Sequence, residues 1–286
     1  MLPLNPMQHT TIESALREAA RRLARISERP RLEAEILMAH RLGKGRIWLH
    51  AHSDERLPEP EAYEALVTRR ERGEPVEYIT GRVSFYDMEL EVGEGVLIPR
   101  PETELLVEMA ASIIEKEKIP AVCEIGVGSG AVTIALARRF PDLKIVATDI
   151  SDKALACARQ NVRRFGLEER VSLVQSDLMS ALGEVPPMVV SNPPYIARDY
   201  LLPQPVRYEP REALIGGERG DEILLRIVDE AQERGVGHLV CEMGYDQREA
   251  ILAHCRARSL PDPRFYRDLA GLDRGFYLTI PGNLTT

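Results

Sequence analysis

The sequence predicts an α/β fold: a doubly wound sheet preceded by a small helical domain. Three observations carry this. From residue 101 onward, short apolar runs alternate with helical runs, as strands buried on both faces do with their crossover helices. A glycine-rich turn, Gly126-Val-Gly-Ser-Gly130, separates the first apolar run from the next helix. Residues 10–78, by contrast, carry only helical periodicity and turn signals.

In order along the chain, Thr10-Thr-Ile-Glu13 reads as a capping box, followed by apolar residues at helical spacing from Ile12 to Ile26. Pro30 suits the first turn of a second helix that Gly43 ends. A short segment carries Trp48, and Pro60 and Gly73 bracket another helix with Tyr63, Leu66 and Val67 on one side. Such a bundle (residues 1–78) suits recognition of a substrate or partner better than chemistry. Val83 to Val92 alternates in part and is rich in aromatic and β-branched residues, which predicts a β-hairpin linker over 79–100. Pro99-Arg-Pro101 then stops the strand and starts a helix. Strand-like runs follow at 121–125, 144–149, 171–175, 188–192, 238–243, near Phe265 and at 276–280. Helical runs fall near 102–117, 130–139, 151–165, 221–234 and 246–257. The last two strands have only the short link Ala270 to Gly275, too short for a parallel crossover, so they should pair antiparallel.

The 286 residues suffice for a real core, and the 44% hydrophobic and 29% charged fractions exclude a collagen-like, mucin-like or wholly disordered chain. A net charge of −8 makes the chain a poor sequence-independent binder of DNA or anionic membrane. Cys123, Cys157, Cys241 and Cys255 form no C-x-x-C pair and read as reduced core thiols. No run of ~18 apolar residues predicts a membrane span, and the N-terminus lacks the pattern of a signal peptide. The expected location is the cytoplasm.

The glycine turn follows an apolar strand and opens a helix, so a ligand can approach bare backbone there. Asp149 ends the second strand, where an acid can accept both hydroxyls of a ribose. That fits an adenosine-bearing methyl donor or NAD; the plainer alternative is a helix cap, which Ser151 can supply alone. Asp177, after the third strand, is placed to accept from an adenine amino group, with Leu178 against the ring; such an Asp is otherwise a turn residue. The fourth strand runs into Asn192-Pro193-Pro194-Tyr195. Two prolines remove two N–H donors, Asn192 offers a carbonyl oxygen, and Tyr195 offers a flat face. An acceptor pair beside a platform suits a planar –NH2 group, and NAD chemistry has no use for it. His50 and His52 are the nearest thing to a metal pair, but they read as exposed loop histidines without a third ligand, and no metal is expected.

Asn-Pro-Pro-Tyr behind a glycine loop resembles class I methyltransferases that use S-adenosylmethionine (SAM) on planar nitrogens. Glu74-Pro-Val-Glu-Tyr-Ile-Thr-Gly81, Leu97-Ile-Pro-Arg-Pro-Glu-Thr-Glu104, Tyr208-Glu-Pro-Arg-Glu-Ala-Leu214 with Gly216-Gly217, and Asp268-Leu-Ala-Gly-Leu-Asp-Arg274 narrow the resemblance. Together they resemble the release factor glutamine methyltransferases (the PrmC or HemK family) from about residue 10 to the end. The resemblance implies a seven-stranded methyltransferase domain over 101–286. It also implies methylation of the glutamine amide in the Gly-Gly-Gln motif of class 1 peptide-chain release factors, with S-adenosylhomocysteine as product. It places Gly126, Val127, Gly128, Ser129 and Gly130 at the methionine end of SAM, Asp149 at the ribose, and Asp177 with Leu178 at the adenine. It implies that Asn192, Pro193, Pro194 and Tyr195 hold the glutamine amide, with Asn192, Pro193 and Tyr195 catalytic and Asn192 also beside the cofactor. The chain departs from the family pattern at Glu124, Val127, Leu178 and Arg219, where Asp, Thr, an aromatic residue and Asp are expected. Arg100, Glu102 and Glu104 either frame a helix start or serve the cofactor pocket. Tyr208-Glu209-Pro210 is either a turn or a substrate-side loop.

Three rival readings differ in what they require. A DNA or RNA adenine methyltransferase shares Asn-Pro-Pro-Tyr but needs a basic groove or an added recognition domain, against the acidic charge. A non-catalytic SAM sensor predicts binding without turnover. An NAD oxidoreductase lacks a visible acid/base constellation on the hydride side.

Overall fold

The computed structural model describes residues 10–281. The N-terminal stretch judged above for a signal peptide lies almost wholly outside them. The chain divides into two compact units, Met1–Gly81 with Pro203–Tyr208, and Arg82–Leu202 with Glu209–Thr286.

The first unit is helical: α1 (Ile12–Leu23), α2 (Pro30–Leu42), α3 (Arg46–Ala51), α4 (Pro60–Glu71) and α5 (Val76–Thr80). The capping box sits one residue later than the sequence suggests. Thr11 is the N-cap and Ser14 closes the box: a serine hydroxyl on the third helical residue reaches back as a glutamate would. Pro30 opens α2, and Gly43 ends it with φ of 62°, a conformation a side chain disfavours. The amphipathic faces meet in one core that includes Leu16, Leu23, Leu37, Met38 and Val67, and the Tyr63 hydroxyl donates to the Ala34 carbonyl at 3.1 Å inside it. His50 lies on α3 rather than in a loop, and His52, its C-cap, stacks on Trp48 with ring centroids 4.0 Å apart. Helix α5 is a single turn, too short for periodicity to reveal.

In the second unit, β1 (Arg82–Phe85) and β2 (Met88–Glu91) form the hairpin. There follow α6 (Thr103–Glu117), β3 (Ala121–Ile125), α7 (Ala131–Arg139), β4 (Lys144–Asp149), α8 (Asp152–Arg164), β5 (Val171–Gln175) and β6 (Met188–Ser191). Next come β7 (Ile196–Ala197), β8 (Ile215–Gly217), α9 (Glu222–Glu233), β9 (His238–Glu242), α10 (Arg248–Ala257), β10 (Arg264–Arg267) and β11 (Asp273–Thr279). A seven-stranded sheet runs β10-β11-β9-β6-β3-β4-β5. The last two strands pair antiparallel, as their short link predicts, and β11 also runs against β9. The β7–β8 ribbon, two to three residues a strand, carries no sequence period.

Both faces of the sheet are covered. Val122, Ile145, Val190 and Val240 pack with Leu106, Ile134 and Leu155 of α6, α7 and α8. Their neighbours Cys123, Val189, Leu239 and Cys241 pack with Ile227 and Ile251 of α9 and α10. This is why the strands read as continuous apolar runs; each such buried aliphatic side chain contributes about 1.5–3 kcal/mol. All four cysteine thiols are free, with Cys123, Cys241 and Cys255 buried. Among the described residues, no helix is long and apolar enough to cross a membrane.

One polar side chain ties the hairpin to the glycine turn. Asn161 on α8 is fully buried. Its Oδ1 accepts from the Glu91 N–H at 2.8 Å, and its Nδ2 donates to the Glu91 and Ser129 carbonyls at 2.9 Å each. Asn161→Ala leaves three backbone groups without these partners and should cost about 2–4 kcal/mol. Urea unfolding monitored by circular dichroism checks this; a loss under about 0.5 kcal/mol would mean that the tie contributes nothing.

Candidate active site

Three parallel strands end side by side. Ile125, the last residue of β3, is in register with Thr148 on β4 and Ser191 on β6. The strand order reverses direction about β3, and a crevice opens there at the C-terminal ends, where doubly wound sheets bind ligands. The Ser191 hydroxyl donates to the Ile125 carbonyl at 2.8 Å and pins the two ends together.

After β3 the chain turns on three left-handed glycines, Gly126, Gly128 and Gly130, with φ of 76°, 54° and 87°. The Gly126 and Val127 amides donate to the Thr148 carbonyl at 2.8 and 2.9 Å, which ties the turn to β4. Asp149 does the rest. Its Oδ2 accepts from the Gly128 N–H at 3.0 Å and its Oδ1 from the Ser151 N–H at 2.9 Å. The carboxylate keeps acceptor capacity beyond these two bonds. Burial raises the Asp149 carboxyl above its ordinary range, while the N–H donors of Gly128, Ser151 and Ile150 oppose the rise. Ser151 itself caps α8 by accepting from Ala154, so the cap does not require Asp149.

The strand ends enclose a cavity of about 400 Å³, within the usual range for a small-molecule site. Residues 126–129, Asp149, Asp177, Leu178 and residues 192–194 line it. Gly130 is not among the lining residues: its α-carbon packs toward Ile134 and Ala158. Asp177 holds Arg226 of α9 at 2.9 Å through Oδ2, with both side chains half exposed.

The Asn-Pro-Pro-Tyr segment is held from three sides. The Asn192 Nδ2 donates to Thr103 Oγ1 at 3.0 Å, and Thr103 Oγ1 donates to Glu242 Oε2 at 2.8 Å. The Tyr195 hydroxyl donates to the other oxygen of Glu242 at 3.2 Å. Tyr195 thus faces Glu242 and is not among the cavity-lining residues. Gln247 Nε2 donates to the Tyr195 carbonyl at 2.9 Å. A Cβ at Gly216 would lie 2.5 Å from the Pro194 carbonyl oxygen, and one at Gly220 would lie 2.6 Å from that of Tyr195; only glycine lets these backbones approach. Among the described residues, neither Asn192 Oδ1 nor the Pro193 carbonyl accepts a hydrogen bond.

Several residues in and around the site have partners that the sequence alone does not show. Glu124 is buried beneath the glycine turn, lines the cavity, and accepts from the Thr133 hydroxyl. Burial pushes its carboxyl up to about 8, and among the described residues it has no salt bridge. Glu242 is pushed up to about 7, again chiefly by burial. Arg100 pairs with buried Glu209, which also accepts from the Ile98 N–H at 3.0 Å. That clamp shapes the wall formed by Leu97, Pro99 and Pro210. Glu104, in the first turn of α6, accepts from the Tyr86 N–H of the hairpin at 3.0 Å and does not line the cavity. The Tyr208 hydroxyl donates to the Arg72 carbonyl at 2.9 Å within the first unit. Asp268 organises the turn before β11, accepting from Ala270, Leu272 and Arg274 at 2.9, 3.0 and 2.7 Å. Among the described residues, no cluster of side chains could hold a metal ion.

The family description "PrmC N-terminal domain" matches residues 14–81, and "Methyltransferase small domain" matches residues 101–202. A release factor glutamine methyltransferase of Bordetella pertussis is 41% identical over 87% of this chain and 95% of its own length. Enzymes of the same name from Salmonella typhimurium (38% identical, covering 91% of this chain and 95% of the relative) and Escherichia coli (37%, covering 82% and 87%) are also similar. Among solved structures, the hMettl16 catalytic domain in complex with an RNA hairpin shares the fold, with a TM-score of 0.57 and 15% identity over 80% of this chain and 84% of that one. The N-terminal domain of human METTL16 in complex with SAH does so with a TM-score of 0.51 and 17% identity over 78% and 83%. On the extent and identity of the sequence matches, the chain belongs to the release factor glutamine methyltransferases.

Proposed function

We propose that this protein transfers a methyl group from SAM to the side-chain amide nitrogen of the Gly-Gly-Gln glutamine in class 1 release factors. The observation that carries the reading is the pair of unengaged acceptors, Asn192 Oδ1 and the Pro193 carbonyl, next to each other in the chain and on the wall of the cavity.

The cavity fits the methyl donor. Its left-handed glycines leave backbone open to a ligand, Asp149 has acceptor capacity to spare for a ribose, and Asp177 keeps Oδ1 beside the Arg226-bound oxygen for an adenine amino group. Glu124, buried and without a cation, suits a ligand that brings positive charge. Residues 126–129 would hold the methionine end and Leu178 the adenine ring. The donor supplies a methyl group on a sulfonium, an already good leaving group.

The protein's work lies with the nitrogen. An amide lone pair is delocalised into its carbonyl and makes a weak nucleophile. Asn192 Oδ1 and the Pro193 carbonyl accept the two amide N–H bonds, which turns the lone pair toward the methyl carbon. Holding the nitrogen in line is worth several kcal/mol, and the same acceptors stabilise the positive charge that develops on it. The proton then leaves to water. The helical unit, residues 14–81 with Pro203–Tyr208, serves recognition of the release factor.

Mass spectrometry of a co-incubated release factor tests the reading: the Gly-Gly-Gln peptide should gain the mass of one methyl group. Transfer to DNA or RNA instead, or binding of SAM without transfer to any release factor, would replace it.

Three outcomes are expected at the site. Asp149→Ala should weaken SAM binding on the order of 10- to 100-fold, since hydrogen bonds to a charged group contribute roughly 1.5–3 kcal/mol; unchanged affinity by calorimetry would remove Asp149 from the ribose site. Asn192→Ala should cost roughly 10²–10³ in single-turnover rate, while SAM affinity moves less than about tenfold. Glu124 sits near 8 in the free protein and is therefore mostly protonated at pH 7. A cation beside it lowers that value, so SAM binding at pH 7 should release protons and tighten as pH rises toward 8. Calorimetry in two buffers of different ionisation enthalpy reads this directly, and identical apparent enthalpies would mean that no proton is released.

A further inference from the structure

We propose that Thr103 and Glu242 are positioning residues for methyl transfer: one chain of hydrogen bonds from Glu242 through Thr103 holds the Asn192 side chain with its oxygen facing the substrate nitrogen. The inference rests on the reading that Asn192 accepts from the glutamine amide.

The argument is a count of hydrogens. A threonine hydroxyl has one. Thr103 commits it to Glu242 Oε2 at 2.8 Å, so toward Asn192 it can only accept. The group that Asn192 turns to it is therefore the –NH2, at 3.0 Å, and Oδ1 must point the other way. Nothing else holds the amide's orientation: among the described residues, Asn192 makes no other side-chain hydrogen bond. The carboxylate of Glu242 is thus what tells an otherwise nearly symmetric amide which end faces out.

Stability alone does not explain such a device. Thr103 and Glu242 are 4% and 2% exposed, and the carboxylate is satisfied by two neutral hydroxyls, Thr103 and Tyr195. Burying an acid without a cation costs free energy that an apolar side chain would not. The titratable groups facing Glu242 come from every neighbouring element. Glu102, before α6, raises its pKa and Arg274 on β11 lowers it, but Arg274 is engaged with Asp268. Tyr266 on β10 gives its proton to the Cys241 carbonyl at 3.2 Å, and Tyr195 donates from the Asn-Pro-Pro-Tyr segment.

Protonation reverses the chain. With a proton on Oε2, Glu242 donates to Thr103. The Thr103 hydrogen is then freed and seeks an acceptor, and the Asn192 oxygen turned inward provides it. The acceptor that the substrate needs is then lost. Burial pushes Glu242 up to about 7, so its carboxylate form is lost as pH falls through that value, and the rate should fall with it.

The test uses the full chain, single-turnover methylation of a release factor at saturating SAM, and calorimetric SAM binding as the check on folding. Thr103→Val keeps the shape and removes the hydroxyl; its rate should fall on the order of 10- to 100-fold, with SAM affinity within about threefold, whereas Thr103→Ser should stay within about threefold of wild type, as expected for an outer partner of a reactive group. Glu242→Gln still accepts from Thr103, donates to Tyr195 instead, and cannot titrate. The wild-type rate should fall below about pH 7, and in Glu242→Gln that acid limb should vanish. Thr103→Val and Thr103→Ser falling equally, Thr103→Val at the wild-type rate, or an unmoved acid limb in Glu242→Gln would each overturn the proposal. Asn192→Ala separates the two layers. If it is impaired while Thr103→Val is not, only the positioning role falls; if it is as active as wild type, the reading of Asn192 itself falls.

Discussion

The site depends on the pairing of β3 with a parallel neighbour on each side. In-register pairing sets Ile125 level with both Thr148 and Ser191, so the residues that follow all three strands emerge at one height. Because the strands are parallel, they emerge at the same end. The glycine turn, Asp149 and Asn192 are far apart in sequence, yet no side chain has to reach to bring them together. A shift by one residue in either pairing would exchange the side chains packed on the two faces, and the close fit of two different layers, one around Val122 and the other around Cys123, resists that. The precision of the site is borrowed from the packing of Val122, Val190 and their neighbours.

The cavity and its immediate support hold buried acids and few donors. Glu124, Asp149 and Glu242 are all raised by burial. Each is satisfied by neutral groups: a hydroxyl for Glu124, backbone amides for Asp149, and two hydroxyls for Glu242. A fold selected for stability alone would pair such acids with arginine, as the first unit does with Arg70 and Glu33 at 2.8 Å. Leaving them without a cation costs stability and keeps carboxyl groups that ionise more readily when positive charge arrives beside them. A sulfonium, an ammonium and a nitrogen becoming cationic all have that sign.

Much of this was legible in the sequence because the relevant signals are local. Strands β3, β4 and β5 carry continuous apolar runs ended by turn residues, and their bounds could be read directly. Glycines at 126, 128 and 130 announce left-handed turns, and the short link Ala270 to Gly275 excludes a parallel crossover. The Asn-Pro-Pro-Tyr segment stands out because two prolines cannot belong to a central strand. What escaped was whatever depends on distance across the fold. Thr103 and Glu242 are 139 residues apart; Thr103 lies in the Pro-Arg-Pro-Glu-Thr-Glu run, but nothing local links it to Glu242. Glu209 reads as part of either a turn or a substrate-side loop, and neither reading shows that its carboxylate closes on Arg100 from 109 residues away. The capping box slipped by one residue because serine can replace glutamate as the answering group. Helix α5 and the β7–β8 ribbon are too short to have a period.

The same logic explains why the residue before the two prolines is asparagine. On the proposed reading it donates inward, to a hydroxyl whose only hydrogen is committed, and accepts outward, from the substrate. Aspartate can accept on both sides but cannot donate inward, and beside Glu242 it would place a second negative charge in a poorly solvated region. Serine could do either but has no fixed orientation and is too short to reach both ways. Glutamine has the same amide on a longer stem, with one more torsion to restrain. Asparagine alone combines a rigid planar amide, two unlike ends and a short stem. Its weakness is that the two ends have nearly the same shape, so packing cannot tell them apart, and a hydrogen-bond partner of defined polarity must. A threonine whose hydrogen is held by a carboxylate is such a partner.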